Sequence, residues 1–186
     1  MISPRLQVLA VALFVAAPVL AQASPSPAEL QAGLAGKWSG ALGYRDYQSN
    51  KLFELPVRTE IIALPDKATV LRVSVFDDGP ATGLVHITSA SLYDAAKGSV
   101  STTTLRKGRT VETVSDAVTL LRFTDPEHWE VRYERDGTDD DKPARVRNTE
   151  SRDGNRVTSV KEVMPRATEA KGWQFRNQTR LERAAP

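Results

Sequence analysis

Side chains that carry out covalent or metal chemistry are scarce in this sequence. It has two histidines, His86 and His128, and no cysteine. It contains no Gly-x-Ser-x-Gly segment, so no serine is marked as an activated nucleophile. The two histidines also lack the spacing of metal ligands. We therefore expect no catalytic residue, no metal site and no cofactor, and hence a protein that is not an enzyme.

Of the two histidines, His86 is the better candidate for a ligand-binding residue. It lies in the middle of the alternating segment LVHITS, on the same side as Leu84 and Thr88. If that side faces an internal cavity, His86 is available to bind a ligand, haem iron included. The alternative is a hydrogen-bonded or solvent-facing histidine on a strand. His128 begins a strand beside the segment DPE, and we expect it at the surface.

The N-terminal segment has the pattern of an export signal. MISPR is followed by the uncharged apolar stretch LQVLAVALFVAAPVL and then by AQA, whose small residues suit a signal peptidase. The apolar stretch is about 15 residues long, which is shorter than the roughly 20 that a spanning helix needs. We expect a cleaved signal peptide at residues 1–23, with an uncleaved anchor as the alternative. The protein would then be periplasmic or secreted, without stable membrane insertion.

The rest of the chain has the composition of one globular domain with nearly balanced charge. The formal net charge is +2, and no basic stripe with interleaved aromatic residues is present, which argues against a nucleic-acid partner. Because there is no cysteine, stability must come from burial and backbone pairing. We interpret residues 24–34 as a tether with one short helical turn, and residues 35–183 as a single β domain.

The elements of this domain are strands. About ten segments alternate between apolar and polar residues and are separated by short turns such as RDGN. Strands with one polar face must bury the other face, and short successive connections favour pairing of each strand with the next. The sequence therefore predicts an all-β fold, an antiparallel up-and-down β-barrel of about ten strands. A β-sandwich is the alternative.

The residues of inward parity are the candidate ligand-binding residues. Aromatic and aliphatic side chains dominate this set, and several neighbouring inward positions are small, which predicts unfilled space in the barrel. A packed core without a cavity is the alternative interpretation. The candidates are Leu42, Tyr44, Phe53, Leu55, Val57, Thr59, Val73, His86, Trp129 and Tyr133.

The first strand begins with Gly36, Lys37 and Trp38, and this Gly-x-Trp motif resembles the calycin group, which includes lipocalins and fatty-acid-binding proteins. The strand count and short turns are similar to those of the compact nitrobindin-type barrels. The resemblance implies that the tryptophan plugs the barrel floor and that an arginine of the last strand lies across its ring. Arg176 and Arg180 are the candidates for that arginine. Gly36 would allow a close backbone turn where the first strand begins.

These observations favour an exported, non-enzymatic β-barrel that binds a small apolar or amphipathic molecule. Apolar lining would supply the affinity, and Tyr44, Tyr133 and Thr59 would orient a polar end of the ligand. One alternative is an envelope protein-interaction module, a chaperone or protease inhibitor, with a filled barrel and an exposed apolar patch. A haem-binding barrel that uses His86 is the other.

Overall fold

A computed structural model describes residues 24–45, 51–166 and 172–184 of the chain. The predicted signal peptide at residues 1–23 lies outside the described residues. Within them the chain forms ten strands and two short helices. Neither helix has the length and hydropathy that crossing a membrane requires.

The strands follow one another along the chain with short connections. The helices are α1 (Pro27–Ala32) and α2 (Gly79–Thr82), and the strands are β1 (Gly36–Arg45), β2 (Leu52–Ala63), β3 (Thr69–Asp77), β4 (Leu84–Asp94), β5 (Ser99–Arg106), β6 (Glu112–Asp125), β7 (His128–Asp139), β8 (Lys142–Asp153), β9 (Arg156–Pro165) and β10 (Gln174–Arg183).

The sheet is closed into a barrel. Every strand pairs antiparallel with the next, and β1 pairs with β10 from Trp38 opposite Arg183 to Tyr44 opposite Asn177. The predicted up-and-down barrel of ten strands is confirmed, and the β-sandwich alternative is wrong. Closure removes the two edge strands that an open sheet of this order would expose.

The segment before β1 is a helix docked on one end of the barrel, not only a tether. Ser26 and Glu29 form a capping box, in which each side chain accepts a hydrogen bond from the backbone N–H of the other. Leu30 and Leu34 are buried, and both belong to the hydrophobic core. Helix α1 therefore helps to form the floor of the barrel.

The floor is the hydrophobic core of the molecule. It is made where inward residues of several strands meet the helix at the same end of the barrel, and its largest buried side chains are two tryptophans. Its buried members are Leu30, Leu34, Trp38, Val57, Ile61, Val70, Trp129, Val131, Val157 and Leu181.

Trp38 lies in this floor with its polar atom satisfied. Its indole N–H donates to the carbonyl oxygen of Leu34 at 2.7 Å. The guanidinium carbon of Arg183 lies 4.5 Å from the centre of its ring. A stacked cation–π contact of this kind contributes about 0.5–2 kcal/mol, depending on desolvation. An arginine of the last strand does cover the tryptophan, at the very end of β10.

The two arginines expected over Trp38 are elsewhere. Arg180 pairs with Glu54 and is about half exposed. Arg176 lies near the opposite, open end of the barrel, where it donates to Asp139 at 2.6 and 2.8 Å. A register irregularity between Phe175 and the following pairs separates Arg176 from the regular alternation of β10. The prediction of Arg176 or Arg180 was therefore wrong.

Arg183 also ties the floor to the chain that enters β1. It donates to the carbonyl oxygens of Ala35 at 2.9 Å and Gly33 at 3.2 Å. Gly36 follows with a φ of +128°, and a Cβ atom there would lie 3.0 Å from Nη1 of Arg183. The glycine that begins the motif therefore makes room for this arginine while turning the chain into β1.

Candidate binding site in the barrel lumen

An open cavity lies inside the barrel above the floor. Its volume is about 320 Å³, and side chains of β3 to β9 and of α1 line it. Hydroxyls, amides and charged groups predominate over apolar groups in the lining, although Val100 and Val114 contribute. Its polar residues include Ser91, Tyr93, Thr102, Asp116, Asn148 and Ser159.

A buried charge network lies at the base of this cavity. Nη2 of Arg72 donates to Oε1 of Glu150 at 2.9 Å, and to Oε1 of Gln31 at 2.6 Å. The amide of Gln31 in turn donates to the same Glu150 oxygen at 2.6 Å. Burial alone lowers the pKa of Arg72, but the charge of Glu150 and its hydrogen bond outweigh burial and raise it. Arg72 therefore stays charged, and α1 is joined to the strands through Gln31.

Two tyrosines meet beside the network. The hydroxyls of Tyr93 and Tyr133 lie 3.2 Å apart. Burial raises the pKa of Tyr93 to about 12, and burial raises that of Tyr133 well above its usual value. Both phenols are therefore neutral at ordinary pH. In the neutral form each hydroxyl can donate a hydrogen bond as well as accept one.

A second ion pair lies higher in the cavity. Nη1 of Arg135 donates to Oδ1 of the buried Asp116 at 2.8 Å. Burying an ion pair seldom stabilises a fold relative to apolar side chains of similar volume, because both charges lose hydration. Arg72 and Glu150 form another such pair in the same lumen, and stability alone does not explain two buried ion pairs there.

Some of the predicted ligand-binding residues lie in the lumen, and others are packed in the floor. Tyr133 lines the cavity. Trp129 and Val57 are buried in the floor core, and Thr59 is buried with its hydroxyl 2.9 Å from that of Ser74. These three are packed side chains with no exposed area for a ligand.

Four predicted residues lie on the inward parity of β1 and β2, toward the open end. Leu42 pairs with Leu55 and Tyr44 pairs with Phe53 in the register of the two strands. The rings of Tyr44 and Phe53 stack with centres 5.9 Å apart. They form an apolar side of the mouth, separate from the polar cavity. Their binding roles stay predictions.

Val73 was predicted on the wrong face. It pairs with Glu60, whereas the adjacent Arg72 pairs with the buried Ile61. Val73 is therefore on the outer surface of β3, and Arg72 points into the lumen. The apolar alternation of Leu71, Val73 and Val75 marks the outside of the barrel at this strand. The inward residues are Val70, Arg72, Ser74 and Phe76.

His86 also lies on the outer face. It is exposed, and it pairs with the outward Val75, whereas the adjacent Ile87 pairs with the inward Ser74. The prediction that His86 points into a cavity was therefore wrong. A lumenal haem site that uses His86 as its ligand is not compatible with this register.

The charged residues of the lumen were not among the predicted ligand-binding residues. They are Arg72, Asp116, Arg135 and Glu150. In β8 a signal was present, since Glu150 shares its parity with the apolar Val146 rather than with the arginines on the other face. Parity within a strand, followed strictly, would have placed this carboxylate inside.

A larger concavity of about 730 Å³ lies on the outside of the barrel, lined by residues of β6 to β9. Several of the charged side chains that line it are already paired. His128 is one of them, with Nδ1 2.9 Å from Asp125 and Nε2 3.4 Å from Asp153. His128 is at the surface, as predicted. Among the described residues no group of three or more histidine or acidic side chains is arranged to hold a metal ion.

Comparison with known proteins supports the fold and nothing finer. No family model and no curated protein sequence matches the chain. Among solved structures, the crystal structure of Rv2717c from M. tuberculosis matches 87% of this chain and 100% of its own, with a TM-score of 0.58. The identity is 15%, so the similarity concerns the fold alone. The chain is thus a ten-stranded antiparallel β-barrel, and its likeness to the calycins remains a resemblance.

Proposed function

We propose that the protein is an exported, non-enzymatic β-barrel that binds a small molecule in its lumen. The observation that carries the proposal is the cavity of about 320 Å³, which lies within the ordinary range for ligand sites and is lined by convergent hydrogen-bonding groups. A water molecule takes about 30 Å³ in the liquid, so the cavity suits a ligand of roughly ten non-hydrogen atoms.

The lining favours a polar ligand, or an amphipathic ligand with its polar part in the cavity. The sequence predicted an apolar lining, but a purely apolar molecule would leave the groups around Tyr93, Tyr133 and Asn148 without hydrogen bonds to solvent. The stacked Tyr44 and Phe53 at the mouth offer a surface for an apolar portion.

Non-enzymatic binding is supported by the character of the lumenal groups. The acids and bases that line the cavity are held in ion pairs or, as the two tyrosines, in the neutral state. Neither histidine is in the lumen. Export rests on the sequence of residues 1–23, and the mass of the protein recovered from its host should correspond to a chain that begins at Ser24.

Native mass spectrometry of protein purified from its own host tests the binding proposal. We expect a bound small molecule that is released on denaturation. Thr102→Trp fills the cavity and should abolish co-purification, whereas the adjacent Ser101→Trp adds the same ring on the outside and should not. No bound molecule in the wild-type protein, or equal retention by both variants, would refute the proposal.

The outer surface favours a second candidate function, that of a protein-interaction module. The outward side chains Leu84 and Leu92 of β4 and Leu105 of β5 are 56%, 55% and 47% exposed. A chaperone would use such a surface to hold unfolded chains. In that case Leu84→Ser with Leu92→Ser should reduce suppression of the aggregation of a heat-denatured test protein, while Thr102→Trp should not. If the wild-type protein does not suppress this aggregation, the chaperone candidate is excluded.

A further inference from the structure

Three polar side chains lie next to one another on the inside of β8, β9 and β10. Lys161 of β9 pairs with Asn148 of β8 on one side and with Asn177 of β10 on the other. Its strand alternates so that Lys161 shares the inward parity of the buried Val157 and Val163. We call these three residues the lumenal triplet. Asn148 lines the cavity, so the triplet borders it.

The amine of Lys161 has no hydrogen bond or ion pair with another side chain in the part of the chain that the structure describes. The neighbouring arginines differ in this respect, since Arg135 is bonded to Asp116 and Arg176 to Asp139. A half-buried ammonium group without a counter-ion is costly, and a ligand anion would remove that cost.

Charged groups of both signs surround the amine of Lys161. Burial lowers the pKa of Lys161, and so do the charges of Arg135 and Arg176, whereas Asp139 and Glu112 act in the opposite direction. These four groups, on β6, β7 and β10, are the charges that face the amine. Two of these groups are cations and two are anions, so their charges oppose one another and the charge of Lys161 itself is left without a counter-ion of its own.

We propose that the lumenal triplet binds the carboxylate of a small hydroxylated carboxylic acid, an inference that rests on the proposed lumenal binding function. The ammonium group of Lys161 supplies the charge, and the amide groups of Asn148 and Asn177 donate hydrogen bonds to the same carboxylate. The rest of the ligand lies in the cavity. There the phenols of Tyr93 and Tyr133 donate to and accept from its hydroxyls.

Calorimetric titration of the mature chain with defined probes tests this assignment. The probes are shikimate and gluconate as hydroxylated carboxylates, sorbitol as a neutral polyol, hexanoate as a carboxylate without hydroxyls, and inorganic phosphate. We expect one of the two hydroxylated carboxylates to bind at least tenfold more tightly than the other three probes. Binding that is equal for sorbitol, or tightest for hexanoate or phosphate, overturns the assignment, as does the absence of binding by both hydroxylated carboxylates.

Variants of Lys161 test whether the lumenal triplet binds the carboxylate. Lys161→Met keeps the length of the side chain and should weaken binding of the hydroxylated carboxylate by about 10- to 100-fold, the usual cost of losing a charged hydrogen bond. Lys161→Gln is the second variant, for use if the first does not fold. Lys37→Met, on the outside of β1, is the matched control and should bind as the wild type does. Unchanged affinity in both Lys161 variants overturns the inference.

The pH dependence provides an independent readout. Because the anion favours the ammonium form, affinity should be retained at neutral pH and lost as pH rises through the pKa of Lys161, which lies below the usual 10.5. Lys161→Gln should remove this loss. If a small molecule co-purifies with the wild-type protein but the probes and the Lys161 variants do not behave as expected, only the assignment of the carboxylate to the triplet fails. If nothing co-purifies and no probe binds, the proposed function fails as well.

Discussion

Replacement of Gly40 by alanine tests how tightly the barrel is closed. Gly40 lies in β1 opposite Leu181 of β10, at the seam that joins the first and last strands. A Cβ atom at this position would lie 1.9 Å from the carbonyl oxygen of Arg180, 2.9 Å from its carbonyl carbon and 3.1 Å from Cα of Leu181. All three are backbone atoms, so no side chain can rotate away to relieve the overlap.

The size of the effect follows from these distances. Ordinary contact begins at 3.4 Å, so the two strands must separate by about 1.5 Å, the difference between 3.4 and 1.9 Å. Backbone hydrogen bonds of about 2.9 Å would then exceed the 3.5 Å at which they are effectively lost. Each is worth about 0.5–1.5 kcal/mol net, so loss of three or four predicts a destabilisation of about 1.5–6 kcal/mol.

Urea unfolding followed by tryptophan fluorescence and circular dichroism measures this loss. Gly43→Ala is the matched control, because its Cβ would meet only the Glu54 side chain, at 3.6 and 3.7 Å, and the Gln178 carbonyl at 3.8 Å. We expect this control within about 1 kcal/mol of the wild type. If Gly40→Ala is as stable as Gly43→Ala, the seam is looser than the register implies and the reasoning is refuted.

Three further changes test the lumen, the floor and the surface. Glu150→Gln leaves Arg72 without its counter-ion and should lower the free energy of unfolding in urea by about 2–4 kcal/mol. The loss is smaller than for a fully buried pair because the Arg72 side chain is 26% exposed. The double variant with Arg72→Met should be closer to the wild type in stability. Arg183→Ala removes the cation–π contact with Trp38 and two hydrogen bonds, and should lower the free energy of unfolding by about 1–2 kcal/mol. The control is Arg180→Ala at the surface, which should lower it by about 0–1 kcal/mol. Equal losses in these two variants would contradict the role of Arg183. Local hydrogen bonds lower the pKa of four surface carboxylates in the folded protein. Their contribution to stability is therefore present above the ordinary pKa values of 3.8 for Asp and 4.5 for Glu, and it is lost as pH falls through the lowered pKa values. A urea midpoint that does not fall on acidification would count against this. These carboxylates are Glu29, Asp66, Asp94 and Asp125.

The strand order could be predicted because it depends on short-range patterns. Turn segments such as RDGN separate alternating runs, and each run pairs with its sequence neighbour, so closure is the natural end of the meander. The inward face of β7 was also predictable, since Trp129 and Tyr133 alternate with charged residues that do lie outside. Where a strand has apolar residues inside and polar residues outside, its sequence is sufficient to predict which residues face the barrel interior.

The lumen could not be predicted because it reverses this pattern. In β3 the residues that face inward include Arg72 and Ser74, and their partners, Glu150 and Thr59, are distant in sequence. Nothing local distinguishes an arginine that will meet a buried carboxylate from one that will face water. The arginine over Trp38 was missed for a related reason, since Arg183 is placed opposite Trp38 by the pairing of two strands that are distant in sequence.

The reversal in β3 bears on why the charges are there. A one-residue slip of this strand would exchange its two faces and bring Leu71, Val73 and Val75 inside. The exchange would bury these three side chains, but it would turn Val70 and Phe76 outward, and the contact of Arg72 with Glu150 would be lost. The observed register instead buries Val70 in the floor and keeps Arg72 in the lumen. Burying charges in the lumen costs hydration, and this cost supports the proposal that the polar cavity is a ligand site.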